Sequence, residues 1–188
     1  IGQTKDDAVG EAFDKVARMM GLPYPGGPEI SRLAKLGRAA NLPPFAALPR
    51  PMLHSKDLDF SFSGLKTAVR YAIEGKELGE TEMQALARDF EDAATEVLLK
   101  KTQDALTETG AQTLIVGGGV TANQCIRDTF NAELLKSHPD VEIYFPNPGL
   151  STDNSVMIAL SGHARTERAA NPAAARLIKA SGNRSIDE

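Results

Sequence analysis

Three stretches of this 188-residue chain combine residue types that can hold a ligand. In the first, Gly117-Gly118-Gly119 ends an apolar run and is followed by Val120 and Thr121. Glycines there let a backbone approach a ligand closely, and the start of the next helix presents unpaired amides suited to a phosphate or to the sugar and base edge of a nucleotide. The same residues serve equally as a plain strand-to-helix turn. They match neither a Walker loop, which needs Gly-Lys-Ser after the glycines, nor the spaced dinucleotide fingerprint. Asn123, in the first turn of the following helix, offers a ligand contact or a local helix cap. In the second stretch, Tyr24-Pro25-Gly26-Gly27-Pro28 is either a rigid loop against a ribose or base or a linker between helices. Asp14, next to the apolar Phe13, can point into a cleft and accept ribose hydroxyls or remain a solvated helix carboxylate. In the third, Asp153 of Ser151-Thr152-Asp153-Asn154 sits near a helix start, where an ionised carboxylate is favoured; it is an oxygen ligand for a metal or simply a helix-start residue.

Other residues carry less. His54, His138 and His163 fall in different segments with no i,i+4 pair, so they do not assemble a histidine metal site. Arg50, His54, Lys56, Lys66 and Arg70 flank Phe60 and Phe62, a pattern that fits phosphate contacts with stacking aromatics or core phenylalanines with solvated basic neighbours. The single thiol, Cys125, allows no intrachain disulfide and no four-cysteine site, which suits a reducing, cytoplasmic setting. With 21 basic and 25 acidic residues the formal charge is −4, arguing against a uniformly basic surface that grips duplex DNA. No window approaches a membrane span and no basic-then-apolar leader opens the chain, which starts at Ile1 rather than Met and reads as a piece of something longer.

The elements that must position these residues are mostly helical. Apolar spacing predicts a helix over 4–20, with Asp6 and Asp7 at its start, stopping at Gly21. The Gly/Pro run 21–28 continues no regular element, and a short helix over 29–36 follows with Ile30, Leu33 and Leu36 on one face. Residues 37–54 read as an irregular crossing segment, 59–63 as a short strand, and 64–73 as a helix capped at Ser63. A long helix begins at Thr81, with Gln84 as a capping-box partner, and ends at Gly110; its stripe is Leu86, Phe90, Ala94, Val97, Leu98 and Ala105. Residues 113–116 read as a buried strand, 121–136 as a helix capped by Thr121, 141–145 as a second strand, and a helix follows Ser151 or Thr152. The tail from Asn171 should fray. Strand, glycine loop, helix, strand, turn and helix together make half of an α/β domain.

Several of these elements occur together in a known order. Residues 6–15 (DDAVGEAFDK), 21–28 (GLPYPGGP), 59–68 (DFSFSGLKTA), 117–123 (GGGVTAN) and 152–154 (TDN) resemble the carboxy-terminal part of the tRNA threonylcarbamoyladenosine transferases, the TsaD family. The resemblance implies an α/β, actin-like (ASKHA, ribonuclease H-like) ATPase fold. Residues 1–150 would form most of the second lobe, and 151–188 a helical segment returning to the first. It also implies transfer of the threonylcarbamoyl group from threonylcarbamoyl-adenylate to N6 of the adenosine 3′ of the anticodon in tRNAs reading codons that begin with A. Asp14, Gly27 and Asn123 would then meet the adenylate, with Gly118 and Gly119 nearby, and Asp153 would bind one divalent metal, iron or zinc, whose histidine ligands lie upstream. Where many relatives carry Asp, this chain has Ser31, which weakens its assignment as a substrate contact. No covalent nucleophile is expected, because the carbamoyl carbon is already activated. The implied partners are tRNA, a TsaB-like paralogue and a TsaE-like P-loop ATPase, with no membrane. The competing readings are a non-catalytic scaffold paralogue and another nucleotide-binding kinase of the same superfamily.

Overall fold

The computed structural model describes residues 1–147, 149–151 and 155–165. The chain forms two compact units, Ile1–Thr152 and Asp153–Glu188. Within the first, α1 (Val9–Met19) buries Ala12, Phe13, Val16 and Ala17 on one face. It starts later than its apolar spacing predicts, because Asp6 and Asp7 are drawn into other bonds. The Asp6 carboxylate accepts from the Phe62 amide (2.9 Å) and the Ser61 hydroxyl, while Asp7 pairs with Lys15 (2.9 Å) and Lys66. Gly21 (φ 72°) ends the helix, with the Leu22 amide donating back to the Ala17 carbonyl at 2.9 Å.

Helix α2 (Gly26–Ala39) is longer at both ends than its sequence pattern predicts. Gly26, Gly27 and Pro28 form its first turn rather than interrupting the chain; the missing N–H of Pro28 costs nothing there, since first-turn amides have no partner within the helix. Ile30, Leu33 and Ala34 are buried, whereas Leu36 faces outward, 41% exposed. Gly37 lets α2 close on the next long helix: a Cβ there would stand 2.7 Å from the Gln84 carbonyl oxygen.

Residues 42–62 are irregular, and 59–63 is not a strand; only a bridge joins Thr4 to Phe60. Helix α3 (Ser63–Ile73) follows Phe62, without the expected side-chain cap from Ser63. Helix α4 (Glu80–Thr109) spans 30 residues, about 45 Å. Its start is organised by Glu82, whose carboxylate accepts from the Gly79 amide at 2.9 Å, rather than by Thr81 and Gln84. It ends, as expected, at Gly110 in a left-handed conformation (φ 63°). Leu86, Phe90, Ala94 and Val97 are buried, and Phe90 meets Phe13 edge to face at 4.9 Å.

The C-terminal end of α4 enters a second cluster. Leu106 joins Ile126, Phe130 and Leu134 of α5 (Gln124–Ser137), with Leu114 and Ile143 packed against them. Strands β1 (Thr113–Ile115) and β2 (Glu142–Tyr144) pair in parallel, Thr113 to Glu142, Leu114 to Ile143 and Ile115 to Tyr144, with α5 as the crossover. β1 is not buried as its apolar composition predicts: Leu114 turns inward while Ile115 is 78% exposed, because α5 covers one face of this two-stranded sheet. In the second unit, α6 spans Ser155–Ala164. No helix among the described residues is long and apolar enough to cross a membrane.

Polar hooks on α4 hold the irregular stretch. The Asp89 carboxylate accepts from the Phe45 (2.7 Å) and Ala46 (3.1 Å) amides, and the buried Lys101 ammonium donates to the Ser55 hydroxyl (2.7 Å) and the Asp57 carbonyl (2.5 Å). A long loop can thus lie against the core because its buried backbone groups have partners.

Two outcomes follow for stability. A Cβ on Gly26 would fall 2.4 Å from the Ala17 Cβ and 2.9 Å from the Asp14 Cα, so Gly26→Ala should destabilise the chain by about 1–3 kcal/mol, read as a lower urea midpoint. Burial raises the Asp6 carboxyl, but hydrogen bonds from Ser61, Phe62 and Ser63 outweigh it and hold the group at about 2, against an ordinary 3.8. Its contribution is therefore present above about pH 4 and lost as pH falls through about 2. The gap in urea midpoint between the parent and Asp6→Asn should be widest near neutrality and close over that acid range; a constant gap would contradict this.

Candidate functional site

The segment after β1 touches both α1 and α2: Val120 stands beside Gly10 of α1, and Asn123 bonds Ser31 of α2. At the α1–α2 turn, Asp14 lies on α1 and its Oδ1 accepts from the amides of Gly26 (2.8 Å) and Gly27 (3.3 Å). A carboxylate from one helix thereby caps the start of another, where the amide dipoles favour negative charge. Asp14 is thus neither a solvated carboxylate nor wholly free for a ligand; Oδ1 is engaged in both bonds and Oδ2 is left for a further donor. The two adjacent glycines differ. Gly26 packs so tightly against Ala17 and Asp14 that no side chain fits, whereas among the described residues nothing beyond its own helix lies within 4 Å of the position a Cβ would take on Gly27.

The glycine loop is open in the same way. Among the described residues, and apart from the immediate chain neighbours, no atom lies within 4 Å of a Cβ position on Gly117, Gly118 or Gly119, and Gly118 takes φ 87°. A 3-10 turn (Gly119–Ala122) follows, closed by the Thr121 hydroxyl donating to the Gly118 carbonyl at 2.7 Å. Thr121 is buried in that role and does not cap α5 as expected. The turn reaches α1 through Val120, whose Cγ2 would lie 3.3 Å from a Cβ on Gly10.

Asn123 performs the capping and more. Its Oδ1 accepts from the Ile126 amide (3.0 Å), while its Nδ2 donates to Ser31 Oγ on α2 (2.9 Å) and to Glu91 Oε1 on α4 (2.6 Å). Both amide hydrogens are therefore committed within the protein. The second oxygen of Glu91, Oε2, accepts from Arg38 Nη1 at 2.6 Å, and the same guanidinium pairs with Asp92. Glu91 is only 1% exposed. Burial opposes the charge on Arg38, but Asp92 and Glu91 outweigh it and raise the guanidinium above its ordinary value. A buried carboxylate left without such a partner would cost several kcal/mol.

Cys125 stands beside this network, half-buried rather than on the fully buried side of α5. Burial first, and then the Glu91 charge, push its thiol up, so it stays protonated and is a poor nucleophile. Arg38 and Glu91 were not singled out from sequence. The available signal was a carboxylate directly after Phe90, on the apolar stripe of α4.

Asp153 lies outside the described residues. Among those described, no group of three or more His, Cys, Asp or Glu could hold a metal ion; His138, for example, shares a hydrogen bond with Thr107 at 3.0 Å. Of the basic residues near Phe60, Arg50 pairs with Glu96 and Lys66 with Asp7, and the Arg70 guanidinium lies 5.0 Å from the Tyr71 ring centre. Phe62 is a core residue, 1% exposed and stacked on Phe60, so it offers no face to a nucleic-acid base. Lys15, Lys66 and Arg70, with Ser63 and Thr67, line a shallow cavity of about 170 Å³.

Residues 1–160 match the profile of the tRNA N6-adenosine threonylcarbamoyltransferases, TsaD. Relatives of that name include those of Paraburkholderia xenovorans, 50% identical over 171 residues (89% of this chain, 48% of the relative), and Herminiimonas arsenicoxydans, 48% identical over 178 residues (94% and 50%). That of Burkholderia ambifaria is 49% identical over 175 residues (89% and 49%). The chain spans about half the length of the curated relatives it matches. With ordered motifs and near-half identity sustained over most of its residues, this chain belongs to the TsaD family of tRNA N6-adenosine threonylcarbamoyltransferases.

Proposed function

We propose that this chain takes part in transferring the threonylcarbamoyl group from threonylcarbamoyl-adenylate to N6 of the adenosine 3′ of the anticodon in tRNAs that read codons beginning with A. Its two glycine turns would hold the adenylate. The observation that carries this reading is that, among the described residues, Gly27, Gly117 and Gly119 have nothing beyond their own chain neighbours within 4 Å of a Cβ position, while the bond from Asn123 to Ser31 ties the end of the glycine loop to α2. An actin-like lobe for residues 1–150, with 151–188 returning to a partner lobe, belongs to the same proposal.

In this reading Asp14 has two tasks. Oδ1 holds the first turn of α2, and Oδ2 accepts a ribose hydroxyl. Gly27 and Gly119 admit the nucleotide at van der Waals distance, and the amides of the glycine loop face its polar edge. Asn123 and Ser31 hold the two turns at a set spacing beside it. The tRNA amine attacks the carbamoyl carbon, the C–N bond forms as the C–O bond to phosphate breaks, AMP departs and the amine proton leaves to solvent. The chain contributes positioning and dipoles, and the protonated Cys125 takes no part. The described residues do not make a metal site by themselves. A divalent ion, iron or zinc, would polarise the carbamoyl oxygen when bound; we assign Asp153 to it, and no step above depends on it. A TsaB-like paralogue and a TsaE-like ATPase complete the proposed assembly.

Supplying the complete assembly with tRNA and threonylcarbamoyl-adenylate should yield threonylcarbamoyl-adenosine in digested tRNA, measured by mass spectrometry. Product only from ATP and a sugar would favour a kinase, and nucleotide binding without either product a scaffold. At residue level, Gly27→Ala meets no clash, so the melting temperature should hold while AMP affinity, measured by calorimetry, falls about tenfold. Unchanged AMP binding would remove Gly27 from the site.

A further inference from the structure

We propose that Glu91 is a positioning residue: clamped by Arg38, it sets which way round the Asn123 carboxamide faces, and so holds the glycine-loop end of α5 against α2. An ionised carboxylate only accepts hydrogen bonds. Glu91 uses one oxygen for Arg38 and the other for Asn123, each at 2.6 Å. Asn123 Nδ2 must therefore face Glu91, which turns Oδ1 to the Ile126 amide at 3.0 Å and leaves the second amide hydrogen for Ser31 at 2.9 Å. Rotating the carboxamide by half a turn would set oxygen against oxygen at Glu91 and N–H against N–H at Ile126. Only one orientation satisfies all three neighbours.

The charge state of residue 91 thus acts through Asn123 rather than on a ligand. Glu91 is too buried to touch a nucleotide, and Arg38 is committed to Glu91 and Asp92. Its consequence for nucleotide binding rests on the reading above, in which Asn123 borders the adenylate; its consequence for the α5 cap does not.

The substitution Glu91→Gln keeps the volume but adds a donor. With its oxygen taken by Arg38, the new NH₂ would confront Asn123 Nδ2 and force the carboxamide to flip, breaking the cap. In the full chain, labelled for NMR, hydrogen exchange at the Ile126 amide should accelerate about tenfold, while Val16 in α1 keeps its protection. Adding Asn123→Asp should reverse this, since the new carboxylate accepts from both the residue 91 amide and Ile126. Asn123→Asp alone should be worse than the parent, with two carboxylates face to face. AMP titrated by calorimetry should bind about tenfold more weakly to E91Q, and E91Q should add no further loss in an N123A background.

Unchanged Ile126 exchange in E91Q would overturn the proposal, as would an affinity loss that persists undiminished without Asn123. If E91Q fails to fold, recovery on adding N123D supports the proposal and its absence overturns it. If N123A leaves AMP affinity intact while E91Q still exposes Ile126, the nucleotide reading fails and the orienting role of Glu91 stands.

Discussion

A carboxylate buried to 1% exposure has to find its counter-charge inside the fold, and for Glu91 that charge comes from Arg38 on α2, with Asn123 at the start of α5 on the other side. Three helices far apart in sequence are thereby tied at one point. Apolar packing is tolerant of small sliding movements, since many arrangements bury similar area; a hydrogen-bonded ion pair is not. Helices α2, α4 and α5 therefore share a register that hydrophobic contact alone would leave loose. The glycine loop inherits that register, because it ends at Asn123.

Helix α4 gives the network its reach. Its first two-thirds pack Leu86, Phe90 and Val97 into the first core, and its C-terminal end brings Leu106 to the βαβ unit. Between them, Asp89, Glu91 and Lys101 bond part-buried polar groups at Phe45, Asn123 and Ser55. The helix carries an apolar face for its helix neighbours and charged residues for loops, caps and Arg38 of α2. This explains why its polar residues are not confined to a solvent face.

The glycines divide into those that packing requires and those it leaves open. Gly26 and Gly37 are required by neighbours, Ala17 and Asp14 in one case and the Gln84 carbonyl in the other. Among the described residues, Gly27, Gly117 and Gly119 have no neighbour that a methyl group would strike. Open backbone at these positions is what the proposed nucleotide cleft would require of the chain, with the Asn123–Ser31 bond tying the glycine loop's end to α2.

Local pattern alone determined a good deal of this protein. The stripe Leu86, Phe90, Ala94 and Val97 announces α4 and its packed face, Gly21 and Gly110 mark helix ends, and the apolar runs around Leu114 and Ile143 place the two strands, because spacing and backbone freedom act within a few residues. The ordered motifs likewise carry the family, since each is contiguous in the chain. Partners distant in sequence were decided by tertiary structure. Asp6 and Asp7 look like helix-start charges until Phe62 and Lys66 arrive from more than fifty residues away. Gly26 and Gly27 look alike until α1 packs against one and not the other, and Asn123 is an ordinary cap until Glu91 and Ser31 take its amide. Whether a polar group is satisfied, and whether a glycine is crowded, depends on which segments meet in space, and a local pattern holds no record of that meeting.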